Sequence, residues 1–593
     1  MTATISTTES PSTHAAIVQW LTIERTAYIA IGILALVLRL VGLGQQAMAP
    51  GEAAQAMAAL DLIRHTGAQP AGGTSPLLLS LHALTFLITD ATEAAARIWP
   101  ALAGTLLVLL TYGLRKELGR LGALFAALLL AVSSSLVFWS RSATGESFTL
   151  LAAMALIVGL AGWRRDPAAF ARWAIWLAVA LGLLLLSAPA AYSVLVLAAP
   201  LAVLALWPSL APGGTVSATA QSLKAALVAF VVLLLLGATA MFFNPSGLAA
   251  LADLPATWLG QFARSAGSSP LWLTALLGLR EPLIVVTGLA GLVIGLRRKR
   301  WLAQGLGMWL ALGVILLLVR AGRGPIDLAL LVLPLALLGG GALAVLVEAL
   351  RLDSAEEKSE AAVLLVAGVA LIGSTAVWLA TWVSSWSPQP QMAFLLSAGV
   401  SLLVLGGLLV AYAVIFGGKL TVKIGLVLLL VMVTLPALRA TIEMSHNRDG
   451  LRWGSFLNTT GATDGRELTA NLARLASQRG GDLQDLQVAL IAPPGGAPSP
   501  VLRWLTRDAQ VRQVGGIAVE DTAGSAQGDA IYISLADDAP PQAEGYSGRS
   551  YRIAQTWTPD GLRGKALWSW LLYGHVDALD GEQRAIVWVR ADG

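Results

Sequence analysis

Cysteine is absent from the 593 residues. Its absence excludes a disulfide framework, a thiolate nucleophile, a thiolate metal site and covalent haem attachment. Histidine is scarce, five in all, and no two stand at the i, i+4 spacing of a helix-borne zinc site. Charge is scarce as well. Asp, Glu, Lys and Arg make up 12% of the chain, against roughly 25% in a soluble domain. That shortage excludes a soluble enzyme and a disordered scaffold, and no nucleic-acid partner is expected. What abounds is apolar, with 56% hydrophobic residues and a mean hydropathy of +0.72. The chain reads as a polytopic α-helical membrane protein.

A bilayer core of ~30 Å needs about 20 apolar residues in a helix. Thirteen segments qualify: 27–43, 98–116, 119–138, 147–163, 172–187, 190–207, 223–243, 280–297, 301–320, 326–349, 361–384, 392–416 and 422–440. No small-residue cleavage site follows the first, so it is read as an uncleaved span. Pro76–Ile88 is too short to cross and is expected to lie along the outer surface. Lys and Arg accumulate in cytoplasmic loops. The basic loops here are Arg115/Lys116/Arg120, Arg164/Arg165, Arg297/Arg298/Lys299/Arg300, Arg351/Lys358 and Lys419/Lys423. With thirteen spans and a cytoplasmic N-terminus, all of them fall inside.

The same parity places three parts outside: the loops 44–97 and 244–279, and everything after residue 441. Three regions follow: a cytoplasmic tail (1–26), a membrane domain (27–440) and an extracytoplasmic domain (441–593). The last region turns polar, with Asp, Arg, Gly and Pro throughout. Helices are expected near 467–478 and 501–507, and strands near 486–492, 530–534 and 584–589, making a small α/β domain.

Ionisable residues at or within the apolar region are the first functional candidates. Arg39 lies near the outer end of the first segment, where its plain role would be snorkelling to headgroups. Glu52 follows the turn Ala49-Pro50-Gly51 and opens an amphipathic helix running to about Arg64; an acid there also suits the helix dipole. Arg97 begins the second segment, and Glu146 opens the fourth after Ser140-Arg141. Arg320, Arg323 and Asp327 mark an outer loop that is basic against the general bias. Each has a structural explanation alone. Together they put two carboxylates and several arginines on one membrane face. A carboxylate there can serve as general base for an acceptor hydroxyl, and arginines can hold phosphate. That pairing fits transfer of a group from a lipid-linked phosphate donor. A transporter or flippase would place charges and broken helices near mid-membrane; here only Ser187-Ala188-Pro189 suggests such a break.

The order of these residues resembles the GT-C superfamily of membrane glycosyltransferases, on the protein O-mannosyltransferase branch. The resemblance runs through Arg39, an acidic outer loop, Ser75-Pro76-Leu77-Leu78, Ala96-Arg97-Ile98-Trp99-Pro100-Ala101-Leu102-Ala103-Gly104, Gly119-Arg120-Leu121-Gly122-Ala123-Leu124, and Ser140-Arg141 with Glu146. It continues through Phe243-Asn244-Pro245-Ser246-Gly247, Trp258-Leu259-Gly260-Gln261 and Arg280-Glu281-Pro282-Leu283. In the C-terminal region, Val501-Leu502-Arg503-Trp504-Leu505-Thr506-Arg507-Asp508 is similar to a Trp-Tyr-Leu-Arg-Asp segment of one subgroup of predicted bacterial and archaeal glycosyltransferases. Several positions depart from the pattern. The family's usual Asp-Glu pair reads Gly51-Glu52. Pro50 stands where the subgroup often has His, Phe262 where it tends to have His, and Thr144 where it has Arg.

The resemblance implies a sugar donor linked to polyprenyl phosphate, used at the external face of the cell (plasma) membrane in envelope glycosylation. Glu52 and Glu146 would be the catalytic acids, and Arg39, Arg97, Arg320 and Arg323 the donor-phosphate contacts. The expected partners are membrane lipid, the lipid-linked sugar, and an acceptor protein, glycan or lipid. No cofactor is certain beyond the polyprenyl-phosphate sugar itself as donor substrate. A divalent cation between Glu52 and Glu146 stays open, although two acids are too few for a dedicated site. A non-catalytic relative that binds the lipid-linked sugar or assists a partner is the alternative, because Gly51 replaces the expected Asp.

Overall fold

The computed structural model describes residues 22–65, 73–210, 220–263, 269–350, 355–384, 388–446, 459–491, 498–514, 531–536, 546–557, 562–573 and 579–590. Residues 1–21 of the expected N-terminal tail lie outside them. The membrane domain is built from α1 (Ile23–Leu40), α2 (Pro50–Ile63), α3 (Pro76–Ile88), α4 (Glu93–Leu118, tightened to a 3-10 turn at Thr111–Leu114), α5 (Arg120–Ala131) and α6 (Ser134–Ser140). It continues with α7 (Glu146–Arg165), α8 (Phe170–Leu185), α9 (Ala191–Leu210), α10 (Ala220–Ala238), α11 (Gly247–Gly260) and α12 (Pro270–Arg280). It closes with α13 (Pro282–Arg297), α14 (Trp301–Val319), α15 (Pro325–Ala349), α16 (Ala355–Ser384), α17 (Pro388–Phe416) and α18 (Gly418–His446).

Local chemistry sets many of the helix starts. Proline occupies the first turn of α2, α3, α12, α13 and α15, where its missing N–H costs nothing and its φ is already helical. Thr22, Ser75, Thr92 and Ser133 cap α1, α3, α4 and α6 through their hydroxyls. Among the described residues, ten helices are long and apolar enough to cross a membrane, or up to twelve if each bent pair is one span. α1 is not among them, because its 18 residues include Glu24, Arg25 and Arg39.

All thirteen expected segments fall on helices, and Pro76–Ile88 is a separate 13-residue helix. One expected span is broken, and another begins at a sharp bend. Segment 119–138 breaks between α5 and α6 with a 61° bend, and α13 follows α12 across a 96° bend. The two breaks meet. Glu281, between α12 and α13, accepts hydrogen bonds from Ser133 Oγ (2.8 Å), Ser134 Oγ (3.0 Å) and Ser135 N–H (2.7 Å). Its carboxylate thus caps the start of α6, which satisfies donors that a broken helix leaves open.

The C-terminal region contributes β1 (Thr459–Gly461), α19 (Asp464–Gln478), β2 (Gln487–Ile491), α20 (Pro500–Leu505), β3 (Gln510–Val514), β4 (Ile531–Leu535), β5 (Tyr546–Thr556), α21 (Gly564–Tyr573) and β6 (Gly581–Arg590). One six-stranded sheet runs β1-β5-β6-β4-β2-β3. β2 is parallel to β3 and β4, and the β1–β5, β5–β6 and β6–β4 pairs are antiparallel. This is the expected small α/β domain, with more strands than the sequence indicates.

The domain docks on the bundle in two places. Leu468, Leu502 and Trp504 pack with Ala53, Ala56, Met57 and Leu60 of α2 in one core. Arg503 Nη2 lies 2.6 Å from Asp61 Oδ1, and Arg507 Nε donates to the Ala91 carbonyl at 2.7 Å. That cover corrects the expectation of an amphipathic α2. The helix is buried on nearly every side, membrane domain beneath and α/β domain above. The second contact joins Trp557 and Trp570 to Trp272, with the Arg280 guanidinium 4.8 Å from the Trp570 ring centre.

Candidate active site

The ionisable residues singled out in the sequence divide into a closed frame and an open set. Arg39 is fully buried at the end of α1. Its Nε donates to Ser140 Oγ (3.2 Å), Nη1 to the Ala35 and Ala131 carbonyls (3.1 and 3.2 Å), and Nη2 to the Leu130 carbonyl (3.3 Å). Gly104 permits this approach, since a Cβ there would stand 2.9 Å from Arg39 Nε and 1.9 Å from Ser140 Oγ. Arg141 donates to the carbonyls of Leu38, Arg39, Val41 and Gly42. It thereby supplies positive charge and donors to the exposed carbonyl end of α1.

Arg97 and Glu52 complete the frame, at 1% and 2% exposure. Arg97 grips both carboxylate oxygens, Nε to Oε1 at 2.9 Å and Nη2 to Oε2 at 2.7 Å. Its remaining N–H groups reach the carbonyls of Leu43, Gln46 and Ala47. Glu52 also accepts the backbone N–H of Ala143 at Oε1 (2.7 Å) and of Ala49 at Oε2 (3.0 Å). A carboxylate offers about four acceptor sites, and here all are taken. The pair pins the first outer loop, the start of α4 and the 141–145 turn to one another. Arg97 likewise has no N–H left for a phosphate.

Glu146 is different. It begins α7, and its Oε2 is buried without a hydrogen-bond partner, as is the neighbouring Thr144 Oγ1. Glycine precedes it because the chain passes very close to two other segments. A Cβ at Gly145 would stand 2.0 Å from the Ser187 carbonyl oxygen and 2.7 Å from Ser75 Cβ. Ser75 caps α3, and its hydroxyl donates to the Leu186 carbonyl at 3.2 Å. Glu146 therefore stands at a seam where α3, α7 and the turn before α9 meet.

Across that turn stands Arg320. It is buried, with Nη1 donating to Asp327 Oδ1 (2.8 Å) and Ser193 Oγ (3.0 Å), while its Nε has no hydrogen-bond partner. Ser193, on the first turn of α9, also accepts Trp258 Nε1–H at 2.9 Å. Arg323 caps α14, donating to the Leu317 and Leu318 carbonyls. Of the expected phosphate contacts, Arg320 has a buried Nε with no hydrogen-bond partner, whereas Arg97 is saturated and Arg39 spends four of its five N–H groups inside the frame. Ser193 and Trp258 were not legible as partners, because no spacing in the sequence links residues 65 positions apart.

Beside the seam lies an apolar groove of about 510 Å³. One face of α3 lines it with Leu77, Leu81 and Leu84, the end of α10 with Leu233, the turn after α10 with Met241, and the end of α2 with Leu62. Ser80 Oγ ties its two walls by donating to the Gly237 carbonyl at 2.8 Å. Ala240, Met241 and Phe242 all take positive φ, an unusual run for residues other than glycine. The turn leaves Met241, Phe242 and Phe243 exposed beside the groove. Behind α3, His82 Nε2–H donates to the Ala96 carbonyl at 2.6 Å. Burial pushes its pKa down to about 4, so the imidazole is neutral at pH 7. Among the described residues no three acids or histidines gather as a metal centre needs, and the Arg97 guanidinium occupies the Glu52 oxygens that a cation would share with Glu146.

A helical membrane domain with a small α/β domain seated on one face is an arrangement seen in known structures. Two solved structures share it. ArnT from Cupriavidus metallidurans bound to undecaprenyl phosphate superposes with a TM-score of 0.54 at 15% identity, covering 94% of this chain and 97% of its own. Its apo form gives a TM-score of 0.54 at 15% identity, covering 97% and 99%. At that identity the likeness establishes the fold. The likeness is to the ArnT, GT-C-type fold and does not single out the O-mannosyltransferase branch. No family model matches the chain, and no curated protein matches it.

Proposed function

We propose that this protein is a membrane glycosyltransferase that takes a sugar from a polyprenyl-phosphate-linked donor and passes it to an acceptor hydroxyl. The reading places the reaction on the membrane face that carries the α/β domain, external to the cell membrane, with the N-terminus cytoplasmic. The supporting observation is the apolar groove beside the Ser75–Gly145–Ser187 seam, in a fold shared with an ArnT that binds undecaprenyl phosphate. An isoprenoid chain suits the leucine walls. Its phosphate would reach the polar seam, where the unused N–H of Arg320 can pair with it. Glu146 then takes the proton from the acceptor hydroxyl as that oxygen attacks the anomeric carbon. The bond to the phosphate oxygen breaks, and its electron pair leaves on the polyprenyl phosphate. Glu52, Arg97, Arg39 and Arg141 position these parts without touching substrate.

One observation favours a non-catalytic carrier-binding protein as the second reading. The acid that survives from the family's first-loop pair, Glu52, is fully occupied.

Both readings require the carrier to bind. Purified protein in detergent should retain undecaprenyl phosphate at least about tenfold better than the matching polyprenol, because a guanidinium–phosphate contact is worth more than a neutral hydrogen bond. Ala83→Phe, which pushes a ring into the groove from α3, should lower that retention by a similar factor. Equal retention of phosphate and alcohol would refute the carrier site, and sugar transfer by the wild type separates the two readings.

A further inference from the structure

The end of the bundle remote from the α/β domain holds a second hollow, apolar over most of its lining, with Glu117, Arg298 and Arg300 as its charged groups. It lies between the end of α4, the α13–α14 turn and the last third of α15, lined by Glu117, Arg298, Arg300, Leu302, Gly341 and Val345 among others. Its volume is about 40 Å³, room for about three water-sized groups. Gly341 keeps it open, since a Cβ there would meet nothing within 4 Å. The adjacent Gly340 is already in close contact with α5, where a Cβ would lie 2.3 Å from the Gly122 carbonyl oxygen.

The hollow has charges of both signs. The Glu117 side chain is one-tenth exposed; its Oε2 is buried, stands 3.5 Å from Arg165 Nη1, and accepts no hydrogen bond. Arg298 and Arg300 stand exposed at the rim and form no ion pair among the described residues. The turn that presents them is strained. Lys299 between them takes φ +51°, while the Arg300 N–H closes back on the Gly295 carbonyl at 3.0 Å. That helix ending normally uses glycine. Arg165, at the end of α7, reaches Glu117 from the neighbouring helix. A basic rim alone follows from the charge bias of cytoplasmic loops. A buried acid oxygen that accepts no hydrogen bond, with its one ion-pair partner held off at 3.5 Å and a three-atom hollow beside it, does not.

We infer that this hollow binds the headgroup of an ethanolamine phospholipid, the aminoethyl arm entering against Glu117 and the phosphate resting between Arg298 and Arg300. An aminoethyl group has three heavy atoms, which matches the space, and its ammonium supplies the hydrogen bond that Arg165 at 3.5 Å does not. A phosphodiester at the rim meets two guanidiniums in the geometry they favour. A choline headgroup has no N–H and is too wide, and a glycerol headgroup brings no cation to the acid. The site is independent of the sugar-transfer reading.

The test is competitive retention of dioleoyl lipids by the full-length protein, read by native mass spectrometry from equal mixtures of ethanolamine, choline and glycerol headgroups. The ethanolamine lipid should be retained about tenfold over the choline lipid. Glu117→Gln should reduce that preference to near parity. Gly341→Leu fills the hollow and leaves every charge in place, so it should lose the ethanolamine preference while keeping its melting temperature. Equal retention of the glycerol and ethanolamine lipids by the wild type would overturn the proposal, because the rim would then be a plain anionic-lipid patch. So would a Gly341→Leu protein that keeps the preference.

Discussion

Glu146→Gln is expected to lower sugar transfer from a polyprenyl-phosphate donor by roughly 10²–10⁴-fold, the usual share of a general base, with carrier retention and melting temperature nearly unchanged. The geometry asks for this asymmetry. Glutamine keeps the size and one oxygen of the side chain, and the Glu146 Oε2 it replaces accepts no hydrogen bond. Little folding free energy is therefore at stake. What disappears is the only group at the Ser75–Gly145–Ser187 seam, among the described residues considered, able to accept a proton from an alcohol. Transfer rates with a saturating donor and a panel of acceptor hydroxyls would measure it. A Gln variant at full rate would show that another group takes the proton.

Much of the fold was legible because bilayer helices are written in continuous apolar runs. Each expected segment became a helix, and Pro76–Ile88 kept its own boundaries, set by a serine cap and a proline at its start. The bends were not legible. Ser133-Ser134-Ser135 reads as a weak polar patch inside a run, and its partner Glu281 lies nearly 150 residues away. α2 was misread as amphipathic because the surface covering it belongs to α20, more than 400 residues later. β3 and β5 were missed because β3 is exposed and β5 is exposed along its first half, without the continuous apolar run that marks β2 and β4.

The candidate site shows the same limit in sharper form. Arginines near a membrane surface invite a phosphate, yet Arg39, Arg97 and Arg141 spend their donors largely on backbone carbonyls. A carbonyl has no signature in sequence, so a saturated arginine and a ligand-seeking one read alike. Glu146, Arg320 and the Nε of Arg141 stand apart only once the hydrogen bonds are counted.

Glu52→Gln carries the largest expected effect on stability, a loss of about 3–5 kcal/mol, because it leaves the Arg97 guanidinium buried without its counter-charge. The side chains are 1% and 2% exposed, so water cannot replace the lost carboxylate. Glutamine can present one acceptor oxygen, while its NH₂ would face the N–H groups of Arg97, Ala143 or Ala49. Against a typical total of about 5–15 kcal/mol, the variant should be recovered poorly from membranes and melt far below the wild type. Gly51→Asp tests the neighbouring position without this burden. Gly51 is exposed and a Cβ there meets nothing within 4 Å, and an acid in the first turn of α2 gains up to about 1 kcal/mol from propensity and dipole. Thermal melts in detergent together with transfer rates separate the roles. A Glu52→Gln protein that stays as stable as wild type but transfers nothing would make Glu52 the base and Glu146 a bystander. A variant that unfolds early, beside a Gly51→Asp protein that melts higher, would make the Glu52–Arg97 pair the frame on which the site is built.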